Sequence, residues 1–180
     1  MKTISFVPLQ ESHLETVRNW RNSEAVSKYM YTSDTISEEQ QKQWFAKISK
    51  DETQKYWVVY KNDAPLGLVS LYNIKANFKT AYWAYYIGDI ERAGAGIGAK
   101  IEFKLITLVF EELKLNKLLC EVFTFNETVI KLHEKFGFKR EGYFRQHIIK
   151  DNQYYDVVSL ALLKSEWDTI KDYYAKLLIR

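Results

Sequence analysis

Four of the seven glycines in this chain lie between Gly88 and Gly98. They sit in the string Ile87-Gly-Asp-Ile-Glu-Arg-Ala-Gly-Ala-Gly-Ile-Gly-Ala-Lys100, which follows a β-rich stretch and opens a long apolar-periodic run. Glycines there let the backbone turn sharply and bring several N–H groups close to one point. With the positive end of the following helix, those N–H groups suit an anion such as a pyrophosphate. Lys100 adds charge in the first helical turn. A dinucleotide site would carry Gly-x-Gly-x-x-Gly early in a parallel βαβ unit. Here Gly94, Gly96 and Gly98 alternate after an antiparallel meander. A Walker loop needs Gly-Lys-Ser/Thr, which is absent. The plain alternative is a flexible loop before a helix.

The pattern around this turn predicts the remaining elements. Thr3–Val7 alternates and reads as an edge strand ending at Pro8. Ser12 and Glu15 have capping-box spacing ahead of Val17 and Trp20. Ser37 and Gln40 repeat that spacing ahead of Trp44, Phe45 and Ile48. Asn22–Thr35 reads as a loop. Lys55–Tyr60, Leu66–Ile74 and Thr80–Ile87 read as three antiparallel strands, the first two joined by a turn at Lys61, Asn62 and Asp63. Ile97–Leu113 is a helix with Ile101, Leu105, Leu108 and Val109 on one face. Lys117–Phe123 is a strand and Asn126–Phe136 a helix. Gly142–Ile149 and Tyr154–Leu163 form a hairpin turning at Asp151 and Asn152, and a last helix starts near Ser165. A strand-helix-strand-helix unit after a meander implies an α/β (α+β) domain with a mixed, mostly antiparallel sheet and helices on both faces. With 180 residues and no linker or repeat, the whole of 1–180 reads as one domain.

Composition excludes several classes. A net charge of +3 is too small to argue for nucleic acid. No apolar run reaches the roughly 18 residues that span a bilayer. The N-terminal stretch lacks a signal-peptide core, so a cytoplasmic location is expected. The one cysteine, Cys120, excludes an internal disulfide and reads as a buried structural thiol. His13, His133 and His147 show no metal-ligand spacing, and no metal is expected.

A second motif, Asn126-Glu-Thr-Val-Ile-Lys-Leu-His-Glu-Lys-Phe-Gly-Phe138, completes the pattern. It resembles the Asn-x-x-Ala-x-x-Leu-Tyr-Glu-Lys-x-Gly-Phe segment of Gcn5-related (GNAT) N-acetyltransferases. With the glycine turn upstream, the resemblance covers both halves of that superfamily's acetyl-CoA site. It implies a single-domain GNAT fold in which Thr80–Ile87 and Lys117–Phe123 splay apart around the pantetheine of acetyl-CoA. It assigns cofactor binding to Ile87, Gly88, Arg92, Ala93, Gly94, Ala95, Gly96, Ile97, Gly98, Ala99 and Asn126. The family turn opens with Gln or Arg where this chain has Ala93, and Arg92 stands one residue early. The family's Tyr, the usual proton donor to the departing thiolate, is His133 here. An imidazolium can do that work, since a thiol of pKa about 8.5 is within its reach. Equally, Val129, His133 and Phe136 share a helical face, and a lone His there reads as a satisfied core residue. Main-chain N–H groups around Ile87 and Gly88 are candidate donors to the acyl oxygen.

The acceptor is read from the front half. Trp20-Arg21-Asn22 through Met30-Tyr31, then Trp44-Phe45, is similar to the nucleotide-sugar N-acetyltransferases of pseudaminic acid synthesis (PseH type). The segment Arg145-Gln-His-Ile-Ile-Lys-Asp-Asn-Gln-Tyr-Tyr-Asp-Val is similar to them too. The resemblance implies a UDP-amino-sugar acceptor and leaves room for a homodimer. Arg21 can fork onto phosphate. Met30, Tyr31 and Trp44 can cover a base or a deoxy-sugar face. Tyr82 and Tyr86 share one side of their strand. Singly, each aromatic reads as well as core, and Arg21 as a helix-end surface charge. A ribosomal-protein N-terminal acetyltransferase, a polyamine acetyltransferase and a non-catalytic CoA-binding module are the other readings. The loop Asn22–Thr35 holds only Glu24 and Asp34, which argues against a polycation.

Overall fold

The structure is a computed structural model that describes residues 4–178. The strands are β1 (Ile4–Pro8), β2 (Lys55–Lys61), β3 (Ala64–Lys75), β4 (Thr80–Ile87), β5 (Lys117–Phe123), β6 (Lys139–Lys150) and β7 (Gln153–Leu163). The helices are α1 (Leu14–Asn22), α2 (Glu24–Ser27), α3 (Glu38–Ile48), α4 (Ile90–Ala93), α5 (Ile97–Thr107), α6 (Glu127–Lys135) and α7 (Lys164–Leu178). The strands are hydrogen-bonded in the order β1-β2-β3-β4-β5-β7-β6. β1–β2, β2–β3, β5–β7 and β6–β7 run antiparallel, and β4–β5 runs parallel. This is the mixed, mostly antiparallel sheet that the element order implied. The parallel ladder covers only Thr80–Tyr82 against Lys117–Leu119, although both strands are longer.

The described residues pack as two compact units, 4–72 with 84–95 and 73–83 with 96–178. In the first, Val17 of α1 packs with Val58 of β2 and Leu68 of β3, and Trp20, Tyr56 and Tyr86 close around them. In the second, the apolar face of α5 is fully buried at Ile101, Leu105 and Ile106. Leu118, Leu160, Leu162 and Trp167 are buried in the same unit. Cys120 is a buried free thiol.

Local chemistry set several elements as expected and moved others. At α3 the capping box is present: Gln40 N–H donates to Ser37 Oγ at 3.2 Å, and Ser37 N–H donates to Gln40 Oε1 at 2.8 Å. The box expected at Ser12 and Glu15 is not formed. A 3₁₀ turn over Glu11–His13 takes its place, with Gln10 N–H donating to His13 Nδ1 at 3.1 Å. The loop Asn22–Thr35 contains α2, a single turn opened by Ser23. Asn22 then ties the chain to Ile36, accepting from its N–H and donating to its C=O, both at 2.9 Å. The helix expected to reach Leu113 changes at Leu108 to a π-helical turn ending at Glu112, where Leu113 N–H donates to Leu108 C=O at 2.9 Å. The hairpin turns at Asp151 and Asn152 as expected, both at positive φ. Thr3 lies outside the described residues.

Candidate functional site

In the first unit a cavity of about 430 Å³ is bounded by α1, the chain leading into α3, α3 itself, β3 and the later part of β4. That volume is in the range of small-molecule sites. Arg21, Met30, Trp44 and Tyr86, all expected on the acceptor side, line it. The Arg21 guanidinium donates through Nη2 to Thr32 C=O at 3.0 Å and to Thr32 Oγ1 at 2.7 Å. Its Nη1 is buried without a hydrogen-bond partner, and no carboxylate pairs with it among the described residues. Burial pulls the Arg21 pKa down and the neighbouring Tyr86 pushes it back up. Burial also pushes the Tyr86 phenol well above its ordinary value, so Tyr86 is a hydrogen-bond donor and not a base. Trp44 meets Tyr56 edge-on, ring centroids 5.0 Å apart. Asp34 is the one carboxylate of the lining.

Two expected acceptor residues do not line this cavity. Tyr31 is 36% exposed and lies outside the lining, to which its neighbours Met30 and Thr32 contribute. Tyr82 belongs to the stretch of β4 paired with β5, whereas the cavity reaches only Ala84, Tyr85 and Tyr86. Conversely, Gln41 lines the cavity and was not foreseen. It is 4% exposed, and its Nε2 has no partner. The signal was its position three residues before Trp44, on the same helical face.

The glycine turn has a short helix the pattern missed. α4 is capped by Asp89, whose Oδ1 accepts from Arg92 N–H at 2.9 Å. Gly94 and Gly96 then take φ of +70° and +77°, a region side chains rarely adopt. Gly96 is the N-cap of α5. The first amides of that helix, Ile97, Gly98 and Ala99, have no acceptor within the helix and face its positive end. The N-terminus of α5 fits a diphosphate. The Arg92 side chain is half-exposed beside Asp89, 3.5 Å away, and Ala93 is buried. Gly88 does not serve as a donor to an acyl oxygen, because its N–H is spent on Leu66 C=O at 2.9 Å. Its glycine character answers to Trp20 instead, whose ring lies 2.1 Å from where a Cβ would stand. Asn126 is the N-cap of α6, with its carbonyl taken by Val129 and Ile130 N–H groups.

His133 of α6 lies in the second unit, 3% exposed, beside the rings of Trp83 and Phe138. Its Nδ1 is 2.9 Å from Oε1 of Glu102, a wholly buried residue of α5. Burial opposes the imidazolium, but the Cys120 sulfur and the Glu102 carboxylate outweigh it and lift His133 to about 10. Burial raises the Glu102 pKa, against His133. Both directions express one cause: the fully deprotonated pair would be a bare buried anion, so the two groups keep a shared proton.

Comparison with known proteins decides the family. The model of the acetyltransferase (GNAT) domain matches residues 4–139. The chain belongs to the GNAT acetyltransferases. It is an acetyl-CoA-dependent N-acetyltransferase. It is 26% identical to Acetyltransferase PseH of Campylobacter jejuni over 77% of this chain and 84% of that protein. It is 35% identical to YdaF of Bacillus subtilis, which carries the name of a ribosomal N-acetyltransferase, over 57% of this chain and 55% of that one. A crystal structure of Vibrio cholerae spermidine N-acetyltransferase with CoA and spermine superposes with a TM-score of 0.86 at 22% identity, over 91% of this chain and 97% of that chain. That likeness establishes the GNAT fold. Among the described residues no cluster of His, Cys, Asp and Glu is placed to hold a metal ion, and no helix is long and apolar enough to cross a membrane.

Proposed function

We propose that this GNAT enzyme acetylates the 4-amino group of a UDP-linked 4-amino-4,6-dideoxy sugar. The observation that carries the acceptor is Arg21: a guanidinium on a cavity wall, paired with no carboxylate among the described residues and with a nitrogen left without a partner. A diphosphate supplies anionic oxygens in the geometry that a guanidinium fork matches. Met30, Trp44, Tyr56 and Tyr86 offer apolar and ring surface for a uracil and for the methyl group of a 6-deoxy sugar. One carboxylate, Asp34, suits one ammonium and is too few for a polyamine. The similarity to PseH over most of both chains supports the same reading.

Acetyl-CoA, when bound, brings an activated acyl carbon and a thiolate leaving group. The amides of Ile97, Gly98 and Ala99 at the start of α5 are the groups proposed to hold its diphosphate. Of the two backbone donors considered for the acyl oxygen, Ile87 remains. His133 is the proposed proton source for the departing thiolate, with Glu102 keeping that proton on the imidazole. The 35% identity to YdaF favours a second reading, a protein N-terminus as acceptor.

Release of CoA thiol against a UDP-4-amino-sugar, a peptide beginning with Ser or Ala, and spermidine separates these. Preference for the nucleotide sugar, lost in Arg21→Ala, is the expected result. Preference for the peptide transfers the assignment to proteins. Unchanged turnover in His133→Phe removes His133 as the proton source.

A further inference from the structure

Consecutive residues at the end of α1 reach across to the chain that leads into α3. Arg21 donates to Thr32 C=O at 3.0 Å and to Thr32 Oγ1 at 2.7 Å. Asn22 donates to Ile36 C=O and accepts from Ile36 N–H, both at 2.9 Å. The segment 32–36 is thus a strap tied to α1 at both ends, with Asp34 at its midpoint. Asp34 lines the same cavity as Arg21 and is its one carboxylate. It is exposed, and among the described residues it forms no ion pair, with Arg21 or with any other cation.

One lining therefore carries both signs of charge without neutralising either. Arg21 Nη2 is engaged with the first residue of the strap, and Nη1 is buried without a partner. An ordinary surface carboxylate sits on a chain that loses much freedom when it meets a ligand. Here the backbone on either side of Asp34 is already pinned, which lowers that cost. The complement of such a wall is a ligand that bears an anion and a cation together. An amine acceptor changes on exactly this point during acetyl transfer. It arrives as an ammonium and gives one proton to water. The neutral amine then forms the C–N bond as the C–S bond breaks, and its second proton ends on the CoA thiolate. The product keeps its anion and has lost its positive charge. We infer that Asp34 is a specificity-determining residue of the acceptor site: it docks the ammonium of an acceptor whose anion lies on Arg21, and so tells substrate from acetylated product by charge. The inference rests on this cavity being the acceptor site, as proposed above.

The test is calorimetry on the full chain with the UDP-4-amino-sugar and with its N-acetylated product. The parent should bind the amine about fivefold more tightly than the product, the size of an ion pair that water reaches. Asp34→Asn keeps the shape and removes the charge. It should weaken the amine about fivefold and leave the product unchanged, and Asp34→Glu should restore part of the preference. In steady-state kinetics the acid limb of kcat against pH should move to lower pH in Asp34→Asn, because no carboxylate then stabilises the ammonium. Equal losses for amine and product would overturn the inference, since they would mean a distorted strap. So would a preference for the amine, or an acid limb, that Asp34→Asn leaves in place. Arg21→Met separates the inference from the reading beneath it. If it weakens both ligands alike, the cavity stands as the acceptor site whatever Asp34→Asn does. If it weakens neither, the cavity is not the acceptor site and the inference falls with it.

Discussion

Arg21 and His133 are both cationic groups taken partly or wholly out of water, and the protein treats them in opposite ways. His133 is 3% exposed and meets a carboxylate, Glu102, at 2.9 Å. Arg21 is only partly buried, donates to one threonine, and meets no anion among the described residues. A fully buried charge must be paired, because leaving it bare in a low-dielectric interior costs several kcal/mol. The Arg21 guanidinium spends Nη2 on Thr32 and keeps Nη1 buried without a partner, a cost that an anion entering the cavity would relieve. The difference leaves His133 with its charge compensated by the protein and Arg21 with a nitrogen still to be met.

The sharpest way to break this comparison is to remove one partner of the buried pair. His133→Phe leaves Glu102 buried without its cation and should cost about 3–5 kcal/mol in urea unfolding. The double variant Glu102→Leu with His133→Phe should recover most of that loss, since an apolar pair of similar volume is often neutral. A single variant as stable as the parent would show that the pair is not structurally required. Stability against pH sharpens the same point. The His133 pKa is raised from 6.5 to about 10, so its contribution is complete below about pH 6.5 and is lost as pH climbs through about 10. Glu102 is raised as well, so its contribution acts in the same direction, present at lower pH and lost as pH rises. Unfolding free energies should fall across that interval in the parent and stay nearly flat in the double variant.

Arg21 should behave in the opposite manner. Arg21→Met keeps an apolar stem in the cavity and removes a desolvated charge that has no anion. Its stability should change by less than about 1 kcal/mol, as for substitutions outside a buried network. Its acceptor KM should rise about 10- to 100-fold, the range of a lost charged hydrogen bond. A large stability loss with an unchanged KM would reverse the roles of the two cations.

The sequence exposed features with local causes. The Ser37–Gln40 cap, the turn at Asp151 and Asn152, and the bounds of Thr80–Ile87 and Lys117–Phe123 each depend on residues a few positions apart. Arg21, Met30, Trp44 and Tyr86 were readable because a family pattern grouped them. α2 and α4 are single turns, too short for any periodicity to show. Glu102 was hidden because a charged residue on a helix is normally taken as solvated. The signal was that Leu105 and Ile106, three and four residues later, share its face and are buried. The use of Gly88 N–H by Leu66 and the reach of Lys61 to Arg92 are tertiary contacts across many residues, which no local rule encodes.

The smallest expected effect gives the finest test of the comparison, because Gln41 is neutral. Like Arg21 it lines the cavity and keeps a nitrogen without a partner, yet it is 4% exposed, nearly as buried as His133. A buried donor held for structure is hydrogen-bonded within the protein, and replacing it is destabilising. A donor held for a ligand costs free energy until the ligand comes. Gln41→Leu removes the unmet donor while keeping a similar volume, so the free protein should be unchanged or more stable by up to about 1 kcal/mol. The same variant should weaken acceptor binding by a few fold, about the contribution of one neutral hydrogen bond. Thermal melts with and without the nucleotide sugar read both arms at once. A destabilised free protein whose ligand-induced shift is intact would place Gln41 among groups that serve the fold.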